Sequence, residues 1–219
     1  MTASPLSPRL IHGGIALIDP LNGTVGRVIA LQYNPETLSR TLQVQAIGGD
    51  GADRSQALRL KGPPVESYKL EAAIDAADQM HVGDGTVAQV GILPQLAALE
   101  LLVYPTSTQL ESAHREAGRG TLQIAPAESP LTLFIWSRNR VVPVRISEFS
   151  ITEEFFDPQL NPIRAKISLG MRVLSVSDLG FDHRGGALYM RYQKAKEGLA
   201  KRAAFADIAA LGIQAGDLR

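Results

Sequence analysis

The chain has 219 residues, 45% of them hydrophobic, and its 22 basic side chains balance 22 acidic ones. That length can bury a sizeable core in one domain, or in one domain with an appendage, and the composition is globular rather than disordered. Zero net charge argues against nucleic acid as the main partner, because neutralising phosphates needs a basic excess on one face. Cysteine is absent, which removes disulfides, thiolate metal sites and a cysteine nucleophile and leaves the redox compartment open.

Residues 1–9 carry Pro5 and Pro8 and lack the basic start and apolar stretch of a signal peptide, so they read as an N-terminal arm. No apolar run approaches the ~20 residues that span a bilayer. Asn22-Gly23 between two apolar runs is a two-residue hairpin signal. In "VIALQYNPETLSRTL" an extended run breaks at Asn34-Pro35 and then resumes. Proline removes a ladder donor and pushes Asn34 to extended geometry, and Asn34 is expected to cap a single turn holding Pro35 and Glu36. A structural bend is therefore enough to explain the break. Beyond it Leu42, Val44 and Ala46 alternate with polar residues, and Tyr68, Leu70, Ala72 and Ile74 share one face of a further strand.

Two Gly-rich stretches, "GGDGADRS" and "HVGDGTVAQVG", lack the spacing of phosphate-cradling loops and read as flexible connections. Between Pro94 and Pro105 the spacing of Leu96, Leu99, Leu102 and Val103 predicts a core helix. The stretch 106–129 reads as a polar connector, long for a plain loop and so open to a functional role. "PLTLFIW" is a buried strand. The run "VVPVRISEFSITEEFF" is a long one whose apolar phase slips between Val144/Ile146 and Phe149/Ile151, which predicts a bulge. After "DPQLNP", the residues Ile163, Ala165, Ile167, Leu169, Met171 and Val173 alternate strictly. One register serves both strands: Glu154 opposite Arg164 and Ile151 opposite Ile167. A boundary falls near residues 176–186, giving a β domain over 10–176 and a helical extension over 177–219. Over residues 184–202, Arg184, Arg191, Lys194, Lys196, Lys201 and Arg202 face Glu197 alone. Leu188, Tyr192, Ala195 and Leu199 fall on one helical stripe, and Arg191, Lys194 and Lys201 lie largely off it. The helix is expected to be an assembly element outside the core.

Catalytic chemistry is sparse. His12, His81, His114 and His183 stand apart, without a second ligand at metal spacing. No serine elbow is present. Glu153 and Glu154 point to opposite faces of a strand and cannot share a substrate, so the Glu154–Arg164 pair is their plainer role. The expectation is a binding or structural protein with no catalytic residue, no metal site and no cofactor.

Several motifs recur in a familiar order: Gln32-Tyr33-Asn34-Pro35, the stretch Gly91–Glu100 followed by Tyr104-Pro105, "TLFIW", "ISEFSITEEFFDPQLNPIRAKISLGMRVL" and Asp178-Leu179-Gly180. Together, over roughly residues 10–180, they resemble the N-terminal tube-like domain of the baseplate adaptor of contractile injection systems. These are phage-tail-like particles whose adaptor often carries a LysM module. The resemblance implies a mainly β, α+β fold with two packed antiparallel sheets in a barrel-like sandwich and a flanking helix. It marks Tyr33, Asn34, Pro35, Leu99, Tyr104, Pro105, Phe149 and Ile167 as structural motif positions. It further implies a homo-hexameric ring joining the spike hub to the inner tube protein or a second tube initiator, beside wedge proteins, and assembled in the cytoplasm. No LysM pattern follows Leu174, and the basic helix stands in its place. An inner tube subunit or tube-end cap is the near alternative, although a helical extension would obstruct head-to-tail stacking. A baseplate-associated cell-wall hydrolase and a ligand-binding β-barrel are the alternatives of other classes.

Overall fold

The computed structural model of the chain describes residues 11–46, 59–76, 85–119, 129–206 and 208–218. The arm 1–9, the first Gly-rich stretch and residues 81–84 of the second, His81 among them, lie outside the described residues. The rest of the second stretch is not the flexible connection expected of it: Gly85–Val90 form a helix that buries Val87 in the core. Among the described residues seven strands form one sheet: β1 (Gly14–Ile18), β2 (Val25–Ala30), β3 (Leu38–Gln43), β4 (Val65–Asp75), β5 (Leu131–Ser137), β6 (Arg140–Phe156) and β7 (Pro162–Val173). Their order is β2-β1-β5-β6-β7-β4-β3, and every pairing is antiparallel. The protein is thus mostly β with flanking helices, its strands bonded into a single continuous sheet.

That sheet curls. Phe134 on β5 and Tyr68 on β4 are separated by two strands, so a flat sheet would hold them about 14 Å apart with parallel-standing side chains. Their ring centroids are 5.3 Å apart. One cluster gathers Ile15 from β1, Leu70 from β4, Phe134, Val142 from β6 and Met171 from β7. The barrel-like enclosure expected from two sheets is made by one sheet, because β6 is long enough to pair with β5 through Arg140–Val144 and with β7 through the rest.

The β6–β7 ladder follows the expected register, with Glu154 opposite Arg164, Ile151 opposite Ile167, and an irregularity between Ile146 and Glu148 where the apolar phase slips. Glu154 also reaches the diagonal Lys166 at 2.7 Å, closer than Arg164 at 3.9 Å. From Ala165 to Val173 the alternating residues of β7 are buried. The β1–β2 turn is longer than two residues. Asp19 accepts from the Leu21 amide at 2.8 Å, its own amide donates to the Thr24 carbonyl at 2.9 Å, and Gly23 takes φ 76°. Asp19 thus organises the loop that Asn22-Gly23 alone would have closed more tightly. β3 also departs from expectation: as an end strand it leaves Leu42, and Val44 just beyond it, exposed.

Among the described residues five α-helices flank the sheet: α1 (Gly85–Val90), α2 (Leu93–Glu100), α3 (Ser107–Gly118), α4 (Val176–Leu179) and α5 (Arg184–Ala200). α2 buries Leu96 and Leu99 as its spacing predicts, while Val103 lies past its end and is exposed. Gly91 joins α1 to α2 with φ 59°, and a side chain there would meet the Pro162 carbonyl. α3 occupies much of the expected polar connector. Its start is a capping box in which Thr106 accepts from the Gln109 amide and Gln109 accepts from the Thr106 amide. A second capping box, Ser175 with Asp178, starts α4. Burial pushes the Asp178 carboxyl up, but hydrogen bonds from Ser175 and the Arg172 guanidinium outweigh it and leave that carboxyl below its ordinary range.

α5 corrects the view of the extension. Tyr189 and Tyr192 belong to the main core, and Leu199 is exposed rather than part of the packed stripe. Gly186 lets the helix sit against the Gly180 carbonyl, a place no larger residue could occupy.

Candidate functional site

The answer to the Asn34-Pro35 break lies at the seam of the curled sheet. The chain passes here from β2, one end strand, to β3, the other. Asn34 caps no helical turn. Its side-chain oxygen accepts from the Gly13 amide at 2.8 Å and its nitrogen donates to the Ile11 carbonyl at 2.9 Å. The side chain thereby extends the β1–β2 ladder past Leu31, whose amide donates to the Gly13 carbonyl. Gln32 works on the other side. Its amide nitrogen donates to the Asp75 carbonyl at 2.8 Å, and its oxygen accepts from the Asp75 amide at 2.9 Å. Two side-chain amides thus take the place of strand backbone on either side of the bend, tying β4 to the end of β2.

Above this tie β2 and β4 part and leave a groove of about 640 Å3, lined on its floor by Leu99, Ile167 and Leu169. Because Leu31 points its amide at β1, strand geometry aims the backbone of Val28 and Ala30 away from β1 and towards the groove. Asp75 likewise fixes Ala73 to face the groove from the opposite wall, since β3 covers β4 only up to Leu70. No strand among the described residues pairs with these groups. Among the described residues Arg27 and His12 supply the ionisable side chains of the lining, and none of these lining residues is a carboxylate.

A second feature is a buried carboxylate. Glu66 is 2% exposed on the same face of β4 as Tyr68. The hydroxyls of Tyr68 and Tyr192 donate to its Oε1 at 2.7 and 2.8 Å and lie 2.9 Å from each other. Arg40 Nη1 stands 3.8 Å from Oε1 and Lys196 Nζ 3.6 Å from Oε2. Lys196 also lies 4.3 Å over the Tyr192 ring. Oε2 itself is buried with no hydrogen bond. Burial, then hydrogen bonding to the neighbouring groups, pushes the Tyr68 phenol well above its ordinary value, and burial first does the same to Tyr192. Both phenols therefore stay protonated as donors. The constellation joins β3, β4 and α5 and lines neither the seam groove nor the one beside Tyr104, so its chemistry is that of a latch holding the helix to the sheet.

The family-motif positions do not converge on one site. Asn34 is in the seam, with Tyr33 and Pro35 exposed or half-buried beside it. Leu99 and Ile167 meet in the groove floor, while Tyr104 and Phe149 line a shallower groove of about 430 Å3 with Glu100 and Ile151. Pro105 is exposed after α2. Arg191 and Lys194 are exposed on α5, and Lys201 is exposed at its C-cap. His12 lines the groove, His114 lies on α3, and His183 caps α5 by accepting from the Gly185 amide at 3.1 Å. Among the described residues no three His, Asp or Glu side chains are grouped to hold a metal, and no helix is long and apolar enough to cross a membrane. Sequence reasoning missed Glu66. The signal was its phase: it alternates with Tyr68, Leu70 and Ala72, a carboxylate on the apolar face of a strand.

Fold and site together define a single curled antiparallel sheet with an open seam and a latched C-terminal helix. No family model and no curated protein matches the chain. Among solved structures it is similar to a chain in the tail of an empty GTA particle, computed with helical refinement in C6 symmetry. Identity there is 14% with a TM-score of 0.29, over 74% of this chain and 90% of that one.

Proposed function

We propose that the chain is a structural, non-enzymatic ring component of a phage-tail-like contractile injection particle, an adaptor between the spike hub and the inner tube on which tube subunits begin to polymerise. The observation that carries this reading is the pair of end strands. β2 and β3 terminate the sheet, and Val25 and Val28 on β2, with Leu42 and Val44 on and beside β3, are exposed. A protein that works alone shields or charges such edges, whereas a closed ring gives each edge a neighbour. The order of sequence motifs over residues 10–180 supports the same reading and supplies the particle.

The test is to tag the chain in the producing cell, purify the particles and measure its copy number relative to the spike and tube proteins. A fixed, low ratio at the spike end of the tube is expected. A ratio that scales with tube length would make it a tube subunit, and absence from the particles would refute the reading. Peptidoglycan turnover by the purified chain, lost on substitution of a single carboxylate, would replace it with a hydrolase.

A further inference from the structure

We propose that the tip of the β6–β7 hairpin of one protomer seats in the β2–β4 groove of the next, so that copies join head to tail. This rests on the ring reading above and names the contact that would build the ring.

The tip is built to present apolar side chains. Phe155, Phe156 and Leu160 are 68%, 50% and 79% exposed. Phe155 and Leu160 have φ of 54° and 64°, values that a side chain with a Cβ adopts reluctantly. The loop holds them there. Asp157 accepts from the amides of Gln159 and Asn161 and from the Asn161 side chain, each at 2.8 Å. A left-handed backbone maintained by three hydrogen bonds, with its hydrophobic side chains turned outward, is the mark of a contact surface.

The groove offers the complement. Its floor is Leu99, Ile167 and Leu169, and its walls carry the unpaired strand groups of Val28, Ala30 and Ala73. The charges match as well. Residues 153–161 contain Glu153, Glu154 and Asp157 and no basic residue. Glu154 is engaged by Lys166, which leaves Glu153 and Asp157 at the tip. Among the described residues the groove carries Arg27 and His12 and no acid. The tip cannot fold back into its own groove. Asn161 donates to the Gln89 carbonyl, the Ile92 amide to the Pro162 carbonyl and the Ala76 amide to the Ile163 carbonyl, pinning the hairpin to α1, α2 and the end of β4. The occupant is therefore a second copy. A knob and a hole at different places on one chain give a heterologous contact, the type that closes into rings.

The chain has no cysteine, which makes the test clean. Two full-length variants, Leu160→Cys and Val28→Cys, one of them carrying a mass tag, are mixed and oxidised at a concentration where the wild type self-associates. The expected product is the mixed disulfide, well in excess of either symmetric dimer. In sedimentation, Phe155→Ser/Leu160→Ser should associate at least tenfold more weakly than wild type with an unchanged melting curve. Arg27→Glu should weaken association and Glu153→Arg should restore it. If the wild type associates, the mixed disulfide fails to form and the Ser variant associates normally, this contact is wrong while the ring reading stands. If the wild type stays monomeric at every concentration and is missing from particles, the ring reading fails and takes this contact with it.

Discussion

Replacing Glu66 with Ala tests the latch between the sheet and α5. The change removes the common acceptor of two buried phenols whose oxygens are 2.9 Å apart. They can then satisfy one donor between them, and the other is left buried without an acceptor, which costs about 1–3 kcal/mol. Arg40 and Lys196 have side chains 38% and 33% exposed, so water takes over most of their pairing and they add under about 1 kcal/mol together. A small void adds to the loss. The total is about 3 kcal/mol, or a fall in melting midpoint of roughly 6–12 °C for a chain of this size. Glu66→Gln keeps the volume and the Oε1 acceptor but gives up the charge and puts an amide donor where the unbonded Oε2 lies, so about 1–2 kcal/mol is expected. Urea unfolding followed by near-ultraviolet circular dichroism measures both. In the Glu66→Ala background, Tyr192→Phe should cost little, because its partner is already gone. An Ala variant within about 0.5 kcal/mol of wild type would refute the reasoning, as would a Tyr192→Phe cost that is the same in both backgrounds.

Other expectations follow from the same geometry. Tyr68 and Tyr192 have phenols raised above their unfolded values, so the stability they contribute is complete below about pH 10 and is lost as pH climbs towards their folded values. A Tyr68→Phe/Tyr192→Phe variant should melt with a flatter alkaline slope than wild type, and an identical slope would contradict the assignment. Leu169 is 1% exposed, and Leu169→Asp should unfold or aggregate the protein because an unpaired buried charge costs several kcal/mol; an unchanged thermal midpoint would show the face to be wrong. Removing residues 184–219 takes Tyr189 and Tyr192 out of the core, so the truncated chain should melt far below wild type or fail to fold; a wild-type midpoint would make α5 a mere attachment.

The β6–β7 pairing was legible to the residue because the constraints agreed. Strict alternation from Ile163 to Val173 set the face, opposite charges at Glu154 and Arg164 set the register, and the phase slip at Ile146 marked the irregularity. The seam was only half legible. Asn34-Pro35 announces a bend, but nothing local says that the side chains of Gln32 and Asn34 will stand in for strand backbone, since their partners are distant: 43 positions to Asp75 and 21 to Gly13. α5 misled for a different reason. Its basic composition reads as a solvated face, yet Lys196 lies over Tyr192 beside the buried Glu66, so one of those charges serves the core. β3 misled because alternation predicts a two-faced strand and cannot say that both faces will be exposed at the end of a sheet. The missed helix α3 was announced by Thr106 and Gln109 in capping-box spacing, a signal outweighed by the polar run around it.

The central claim is the proposed role, in which copies of this chain form a ring without which tube and spike do not join. Electron microscopy of particles from cells lacking the chain, beside cells expressing it from a second copy, tests that claim most directly. The account predicts spike complexes without tubes in the first and complete particles in the second. Complete, spike-bearing tubes in cells that lack the chain would contradict it.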